Sequence, residues 1–302
     1  MLRKIALAEH FLSPGLIEYW LPTVATLDRT TADILFRRLT DLGEARLDAM
    51  VRVGIQQAVL SIAGPGVAAE TVVSTAVRRA AEANDFLARE IGKRRSSYLG
   101  FAHLPMQDPS AAAAEFHRCL GDLGLCGALV RGAQLGLDDP AFDRLWEQAE
   151  TLDAPIYLDH GSQFEGSAWV AAFESGSQVL QLIFGGVFDR HPKARVIVGG
   201  LGMGLPYLLS ALDEQVRQEG RRLNRPLTDY FRDNICVTTA GLNAAAPLYC
   251  AIAALGPGQV MFGTDYPFAA MKDAGHFLDT VRLDENLRAD IAFRNAERVL
   301  RL

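Results

Sequence analysis

Short apolar runs alternate with longer segments of helical periodicity along the chain. The runs are rich in Val, Ile and Leu and have no hairpin turns between them, which is typical of parallel strands buried on both faces. Eight strands are predicted, over residues 4–9, 56–63, 97–104, 126–132, 155–160, 194–200, 234–240 and 259–265. Apolar residues at helical spacing predict helices within 69–94, 109–122, 139–152, 203–219 and 284–300.

Eight alternating units without a Pro-, Gly- or Ser-rich linker predict an α/β fold, a (β/α)8 TIM barrel forming one domain over residues 1–302. Residues 12–50 are predicted to be an insertion after the first strand, part loop and part helix. The alternative is an open doubly wound sheet. In a barrel, functional groups lie at the C-terminal ends of the strands, so the last residues of each strand define the candidate site.

Composition narrows the classes of partner. The net charge of −6 and the pI near 5.6 argue against nucleic acid or an anionic membrane, because both favour clustered Lys and Arg. The four cysteines show no CxxC spacing, which indicates a reducing compartment without disulfides or a zinc–thiolate site. Glu9 and His10 interrupt the first apolar stretch, so a signal peptide is not expected. We expect a soluble cytoplasmic protein that acts on a small molecule.

Polar side chains collect at the predicted strand ends. A buried charge is costly unless it is paired or takes part in function, so this set predicts an active site. Asp265 is the foremost candidate, as a proton shuttle or a metal ligand, and the alternative is that it caps the following helix. The predicted catalytic residues are His10, His103, Asp159, His160 and Asp265.

Other residues at the predicted barrel mouth suit substrate binding. The forked guanidinium of Arg131 can hold a carboxylate or enolate, and the alternative is a salt bridge to Asp159 or Asp265. The glycine-rich run 199–206 is a weak phosphate-loop signal, because no Lys or Ser/Thr follows at Walker spacing. The predicted substrate-binding residues are Arg131, Met203, Thr239, Tyr266 and Phe268.

Six motifs carry a resemblance to a known family: "ALAEHF", "FAHLPMQDP", "LGLCGALVRG", "APIYLDH", "FDRHPKARVIVGGLGMGLPY" and "MFGTDYPF". In this order they resemble the amidohydrolase-2 family of (β/α)8 enzymes. Within it they are most similar to γ-resorcylate and related 2-hydroxybenzoate decarboxylases, with aminocarboxymuconate-semialdehyde decarboxylase as a relative. The resemblance implies the barrel fold and a homo-oligomer, either a dimer or a tetramer.

The resemblance also implies a divalent metal site, which this chain matches only in part. The family has an acid or His two residues before the strand 1 histidine, a His on strand 5, an assisting His on strand 6 and an Asp on strand 8. The corresponding positions here are Ala8, Asp159 followed by His160, Gly200 and Asp265. His10, Asp159 and Asp265 can still offer a two-carboxylate, one-histidine site for Zn or Mn. The missing groups nevertheless predict that no cofactor is needed.

His103 stands where the resemblance implies a small residue. Beside Arg131, it is interpreted as part of a group of functional side chains that replaces the family's usual site, and the alternative is that it pairs with Asp159.

Three functions are considered. The first is a decarboxylase of a small aromatic or β-keto acid that works without the usual metal. The others are a metal-independent hydrolase (lactonase) or cyclase acting at a mouth widened at Ala8 and Gly200, and a non-catalytic binding barrel.

Overall fold

The computed structural model describes residues 2–131, 136–159, 168–220 and 223–302 of the chain. All paired strands in these ranges are parallel. They are β1 (Lys4–Phe11), β2 (Ile55–Ile62), β3 (Tyr98–Gly100), β4 (Ala102–His103), β5 (Ala128–Val130), β6 (Ile156–Leu158), β7 (Val196–Val198), β8 (Ile235–Thr238) and β9 (Val260–Met261).

Two sheets, β1-β2-β3 and β4 through β9, join into one closed barrel. At the first seam, Phe101 between β3 and β4 donates its N–H to the carbonyl of Leu60 at 2.9 Å. At the second seam, Leu7 donates to the carbonyl of Phe262 at 3.0 Å and forms a parallel bridge with Gly263. Because β3 and β4 share one strand position, the barrel has eight positions. The predicted (β/α)8 fold is confirmed, and the open-sheet alternative is wrong.

Helices surround this barrel, and the predicted insertion over 12–50 is largely helical. The helix at 109–122 begins as predicted, because Asp108 accepts hydrogen bonds from Ser110 N and Ala111 N and Pro109 fixes the first turn. The α-helices are α1 (Ile17–Trp20), α2 (Arg29–Thr40), α3 (Glu44–Arg52), α4 (Val73–Lys93), α5 (Pro109–Gly121), α6 (Asp143–Thr151), α7 (Ala168–Phe184), α8 (Val187–Arg190), α9 (Leu205–Gln218), α10 (Leu227–Asn234), α11 (Ala245–Leu255), α12 (Met271–Thr280), α13 (Glu285–Ala289) and α14 (Asn295–Leu300).

Short irregular turns complete the chain. The segment predicted as one helix over 284–300 contains a π-turn between α13 and α14, at Asp290–Arg294. The 3-10 turns are Pro14–Leu16, Leu21–Val24, Gly66–Ala69, Pro140–Phe142, Gly200–Gly202 and Pro257–Gln259. None of the helices described has the length and apolar character needed to cross a membrane.

The strands divide the core into two layers. One buried side chain from each strand position fills the barrel interior, and Val299 and Leu300 of α14 pack onto the same cluster. These interior residues are Ile5, Val59, Phe101, Leu129, Tyr157, Ile197, Cys236 and Met261. Alternate positions such as Leu60 and Val198 pack outward in a larger cluster with the helices. This alternation decides whether a strand-end residue reaches the barrel mouth or the outer layer.

A β-bulge at Ala8 sets the direction of the functional end of β1. Ala6 pairs with Ala58 and Glu9 pairs with Leu60, so β1 has one more residue than β2 between these points. Ala8 has a positive φ of 58°, which accommodates the extra residue. After the bulge, His10 pairs with Ser61 and lies on the interior side, whereas Glu9 pairs with the outward-facing Leu60. Glu9 therefore leaves the barrel interior.

Candidate active site

His10 and Asp265 form a pair at the barrel mouth. His10 Nε2 lies 3.3 Å from Asp265 Oδ1, and His10 Nδ1 lies 3.1 Å from the Ser61 hydroxyl. The His10 N–H donates to the carbonyl of Tyr266 at 2.7 Å, which fastens the end of β1 to the segment after β9. A histidine held between a hydroxyl and a carboxylate is oriented for proton transfer at this end of the barrel.

The backbone at Asp265 is unusual. Its φ of 65° lies in the left-handed region, which non-glycine residues seldom adopt and which is common at functional sites. Gly241 comes close on one side, since a Cβ at this glycine would lie 3.4 Å from Asp265 Oδ2. The alternative that Asp265 caps the next helix is wrong, because α12 begins at Met271 and Ala270 occupies the cap position.

Arg131 and Asp159 form a second pair. Arg131 Nη2 makes an ion pair with Asp159 Oδ2, and Arg131 Nη1 donates to the carbonyl of Ile62 at 2.6 Å. Among the described residues the buried Nε of Arg131 has no hydrogen-bond partner, and Gly64 packs against it. The salt-bridge alternative for Arg131 is thus confirmed, with Asp159 as the partner. The guanidinium brings a buried positive charge to the mouth without using all its donors.

His103 is held as a neutral acceptor. Its Nε2 accepts a hydrogen bond from the backbone N–H of Val67 at 2.9 Å. Burial, together with the smaller effect of the positive charge of Arg131, lowers the pKa of His103 to about 3. No ion pair within 4.0 Å joins the described side chains of His103 and Asp159. The catalytic role of His103 stays a prediction, and its Nε2 is not a proton donor in this arrangement.

The predicted substrate contacts lie in different places. The ring of Phe268 lies near His10, with 5.5 Å between ring centroids. The ring of Tyr266 lies in the outer layer, 4.7 Å from the guanidinium carbon of Arg46, so the structure does not bring it to the mouth. The hydroxyl of Thr239 donates to the carbonyl of Gly263 at 3.0 Å and accepts from its N–H at 3.1 Å. Thr239 therefore links β8 to the end of β9.

Met203 fills the space that Gly200 leaves. A Cβ on Gly200 would lie 2.5 Å from the Met203 sulfur, and Gly200 has a positive φ of 54°. Met203 itself has a φ of 51°. The thioether thus covers the position where the resemblance implies an assisting histidine.

His160, the remaining predicted catalytic residue, lies outside the described residues.

Two neighbours of the site were not among the residues predicted to act in it, although Ser61 stands at a predicted strand end. Ser61 is the partner of His10, and strand register would have identified it, because β1 and β2 are adjacent. Tyr157 lies two residues before Asp159 and shares a 3.1 Å hydrogen bond with the hydroxyl of Thr238. Burial raises the pKa of Tyr157, and the charges of Asp159, Asp265 and Arg131 all act on it. Tyr157 therefore lies in the electrostatic field of both charged pairs, with its hydroxyl hydrogen-bonded to Thr238.

The described residues do not form a complete metal site. No group of three His, Cys, Asp or Glu side chains within them is placed to hold an ion. His10 and Asp265 face each other, whereas the carboxylate of Asp159 is engaged by the cation of Arg131. A guanidinium beside a ligand repels a divalent cation, so this donor set does not fit a tightly bound ion.

Comparisons with known proteins were made for the whole chain. A family model described as amidohydrolase matches residues 20–302. A γ-resorcylate decarboxylase of Rhizobium sp. is 34% identical, over 99% of this chain and 98% of that protein. A solved 2,6-dihydroxybenzoate decarboxylase, in complex with 2,6-dihydroxybenzoate, is 34% identical with a TM-score of 0.92, and the similarity covers 100% of both chains.

A second solved structure bears on the cofactor. It is a dihydroxybenzoic acid decarboxylase of Polaromonas sp. with bound manganese and the inhibitor 2-nitroresorcinol. It is 31% identical with a TM-score of 0.93, and the similarity covers 100% of this chain and 98% of that one. The expectation that no cofactor is needed therefore gains no support from the comparisons.

Proposed function

Because this chain belongs to the amidohydrolase family, as a carboxy-lyase-like member of it, we propose that it decarboxylates a hydroxylated benzoate. The resemblance read from the six motifs is thereby confirmed. The observation that carries the proposal is the His10–Asp265 pair at the C-terminal end of the barrel. It occurs in a chain similar over its whole length to decarboxylases of dihydroxybenzoates.

The reaction needs a proton at the ring carbon that loses CO2. The Asp265–His10 pair delivers that proton, and the bond from this carbon to the carboxylate then breaks. Its electron pair returns to the ring, CO2 leaves, and the ring keeps the new C–H bond. Phe268, whose ring is near His10, packs against the aromatic body of the substrate.

The Arg131–Asp159 pair supplies the electrostatics of this step. Protonation of the ring carbon makes the ring electron-poor. As the bond to the carboxylate breaks and CO2 leaves, its electron pair returns to the ring, and the adjacent phenolic oxygen carries the resulting negative charge. The buried cation of Arg131 stabilises that oxygen through its positive charge.

We further propose that the step proceeds without a tightly bound divalent ion. Ala8 offers no ligand, and Asp159 is bound to Arg131. Manganese in the Polaromonas enzyme argues the other way, so the question is decided by metal analysis. Protein that holds no stoichiometric metal by plasma mass spectrometry and keeps its activity in EDTA supports the proposal. One metal per chain, with activity lost in EDTA, refutes this part and leaves decarboxylation intact.

The hydrolase or cyclase alternative depended on a widened apolar mouth. Met203 fills the space at Gly200, and the side chains of Phe262 and Tyr266 pack in the outer layer. No observation in the part of the chain that the structure describes favours this alternative or a non-catalytic barrel.

We also propose that the protein is a cytoplasmic homo-oligomer, a dimer or tetramer, with residues 1–302 as one domain.

The test is to incubate the protein with 2,6-dihydroxybenzoate and to follow CO2 release and resorcinol formation. We expect turnover, and we expect Asp265→Asn to lower kcat by about 10²- to 10⁴-fold, the range for loss of a general acid. Asp273→Asn, an exposed carboxylate in α12, is the matched control and should leave kcat unchanged. Absence of turnover on every hydroxybenzoate tried, or full activity of Asp265→Asn, would overturn the proposal.

A further inference from the structure

A cavity of about 900 Å³ lies on the outside of the barrel, between α2, α3 and the segment that leads into α12. We call it the outer cleft. Four cationic side chains line it, Arg37, Arg38, Arg52 and Lys272, and Asp41 is the only acid among the described residues of the lining. The barrel-mouth residues His10, Arg131 and Asp159 are not part of this lining, so the cleft is separate from the candidate active site.

The positive charge of the outer cleft is not neutralised. None of its four cations forms an ion pair within the described chain, although many surface arginines elsewhere do. Asp41 is already engaged, because its two oxygens accept from Gly43 N at 2.7 Å and Arg46 N at 3.1 Å. A net positive cleft in a chain of net charge −6 attracts anions locally, against the field of the molecule as a whole.

The floor of the outer cleft is apolar. Ile34, Ala49, Met271 and the ring of Tyr266 contribute to its lining. Beneath Tyr266 lies Arg46, which is fully buried and whose Nε and Nη1 have no hydrogen-bond partner in the part of the chain that the structure describes. Its guanidinium is 4.7 Å from the Tyr266 ring, which adds a further positive charge below the floor. Pockets of roughly 300–1,000 Å³ with apolar walls and few polar groups are typical of small-molecule sites.

We propose that the outer cleft binds an organic anion that has a flat apolar body and a carboxylate, sulfonate or phosphate group. The apolar body lies on the floor formed by Ile34, Ala49, Met271 and Tyr266. The anionic group faces the guanidinium and ammonium groups on the wall, where charge-assisted hydrogen bonds are available. This site is independent of the proposed decarboxylase reaction.

Three probes separate the contributions in titration calorimetry. Naphthalene-2-sulfonate has both the apolar body and the charge, 2-naphthol lacks the charge, and inorganic phosphate lacks the apolar body. We expect naphthalene-2-sulfonate to bind more tightly than either of the others. Equal affinity for 2-naphthol, or no heat with naphthalene-2-sulfonate, overturns the proposal.

Variants place the binding event in the cleft. The double variant Arg52→Gln/Lys272→Gln should raise the Kd for naphthalene-2-sulfonate by about tenfold or more, as expected for the loss of charged hydrogen bonds. The matched control is Arg89→Gln/Arg95→Gln, which removes the same charge from two exposed cations outside the cleft. Ala49→Trp fills the floor at constant charge and should abolish this binding event. An unchanged Kd in the cleft variants, or an equal change in the control, contradicts the assignment.

Discussion

Glu9 allows a quantitative test of how the barrel end is held together. Its carboxylate is fully buried and accepts from Thr264 N at 3.0 Å and from the Thr264 hydroxyl at 2.7 Å. Complete burial raises the pKa of Glu9 from 4.5 to about 8, although the hydrogen bonds from Thr264 and the charge of Arg46 act in the opposite direction. At neutral pH the folded protein therefore holds a proton on Glu9 that the unfolded chain has released.

This difference makes stability depend on pH with a definite sign. The contribution of Glu9 is fully present below its unfolded pKa of 4.5 and is lost as pH rises through its folded pKa of about 8. Each pH unit between these values lowers the free energy of unfolding by about 1.4 kcal/mol. The slope flattens near the folded pKa, so the loss from about pH 6 to about pH 8 is about 2 kcal/mol.

Glu9→Gln removes the titration while keeping the shape of the side chain. We expect its free energy of unfolding, relative to that of the native chain, to rise by about 2 kcal/mol between about pH 6 and about pH 8. Urea denaturation followed by circular dichroism at several pH values measures this difference. Titrations at other sites are common to both proteins and cancel. Glu285→Gln, at an exposed position in α13, should show a flat difference over the same range.

A flat difference for Glu9→Gln would refute the reasoning. It would mean that Glu9 is ionised in the folded state and that the positive charge of Arg46 outweighs the cost of burial. The buried Arg46 would then be stabilised by Glu9, and Glu9→Gln should be destabilising at every pH.

Three further predictions concern the barrel mouth. His103→Ala should lower the free energy of unfolding by about 1–3 kcal/mol, because a buried backbone N–H loses its acceptor. The same variant should leave the pH dependence of kcat/KM unchanged. Loss of one limb of that pH profile would contradict the assignment of His103 as a neutral acceptor. Gly200→His should lower the free energy of unfolding by at least about 1–2 kcal/mol in urea denaturation because of its positive φ, and Met203→Ala in the same chain should recover part of the loss. Asp159→Asn should cost about 3 kcal/mol in the same assay by leaving the cation of Arg131 unpaired, whereas a loss below 1 kcal/mol would show that the pair is solvated.

The fold was predictable because the hydrophobic pattern is consistent from end to end. Buried parallel strands need apolar side chains on both faces, and this requirement is visible in runs such as the one ending at Leu158. The boundaries were less predictable, since β5 covers only Ala128–Val130 of the seven residues assigned to that strand. Strand ends depend on where the next element takes over the backbone hydrogen bonds, which the pattern does not encode.

The site was predictable where a single strand decides the direction of a side chain. His10 and Asp265 follow from strand ends in a closed barrel, and both lie at the mouth. Tyr266 was placed wrongly at the mouth, because Asp265 has a left-handed backbone and the chain turns directly after it. One residue in an unusual conformation reverses the face of its neighbour.

Some surroundings of the predicted site residues depend on tertiary contacts that leave no local trace in the sequence. His103 has the residue type of a catalyst, yet its Nε2 is used by the backbone of the loop at Val67, which is 36 residues away in the chain. Met203 was expected to line a widened mouth, yet its thioether covers Gly200. The ring of His103 accepts the N–H of Val67, and the side chain of Met203 fills the space at Gly200. At the barrel mouth of this chain, the Met203 thioether covers Gly200, Arg131 is paired with Asp159, and the His10–Asp265 pair is the one proposed to carry the chemistry.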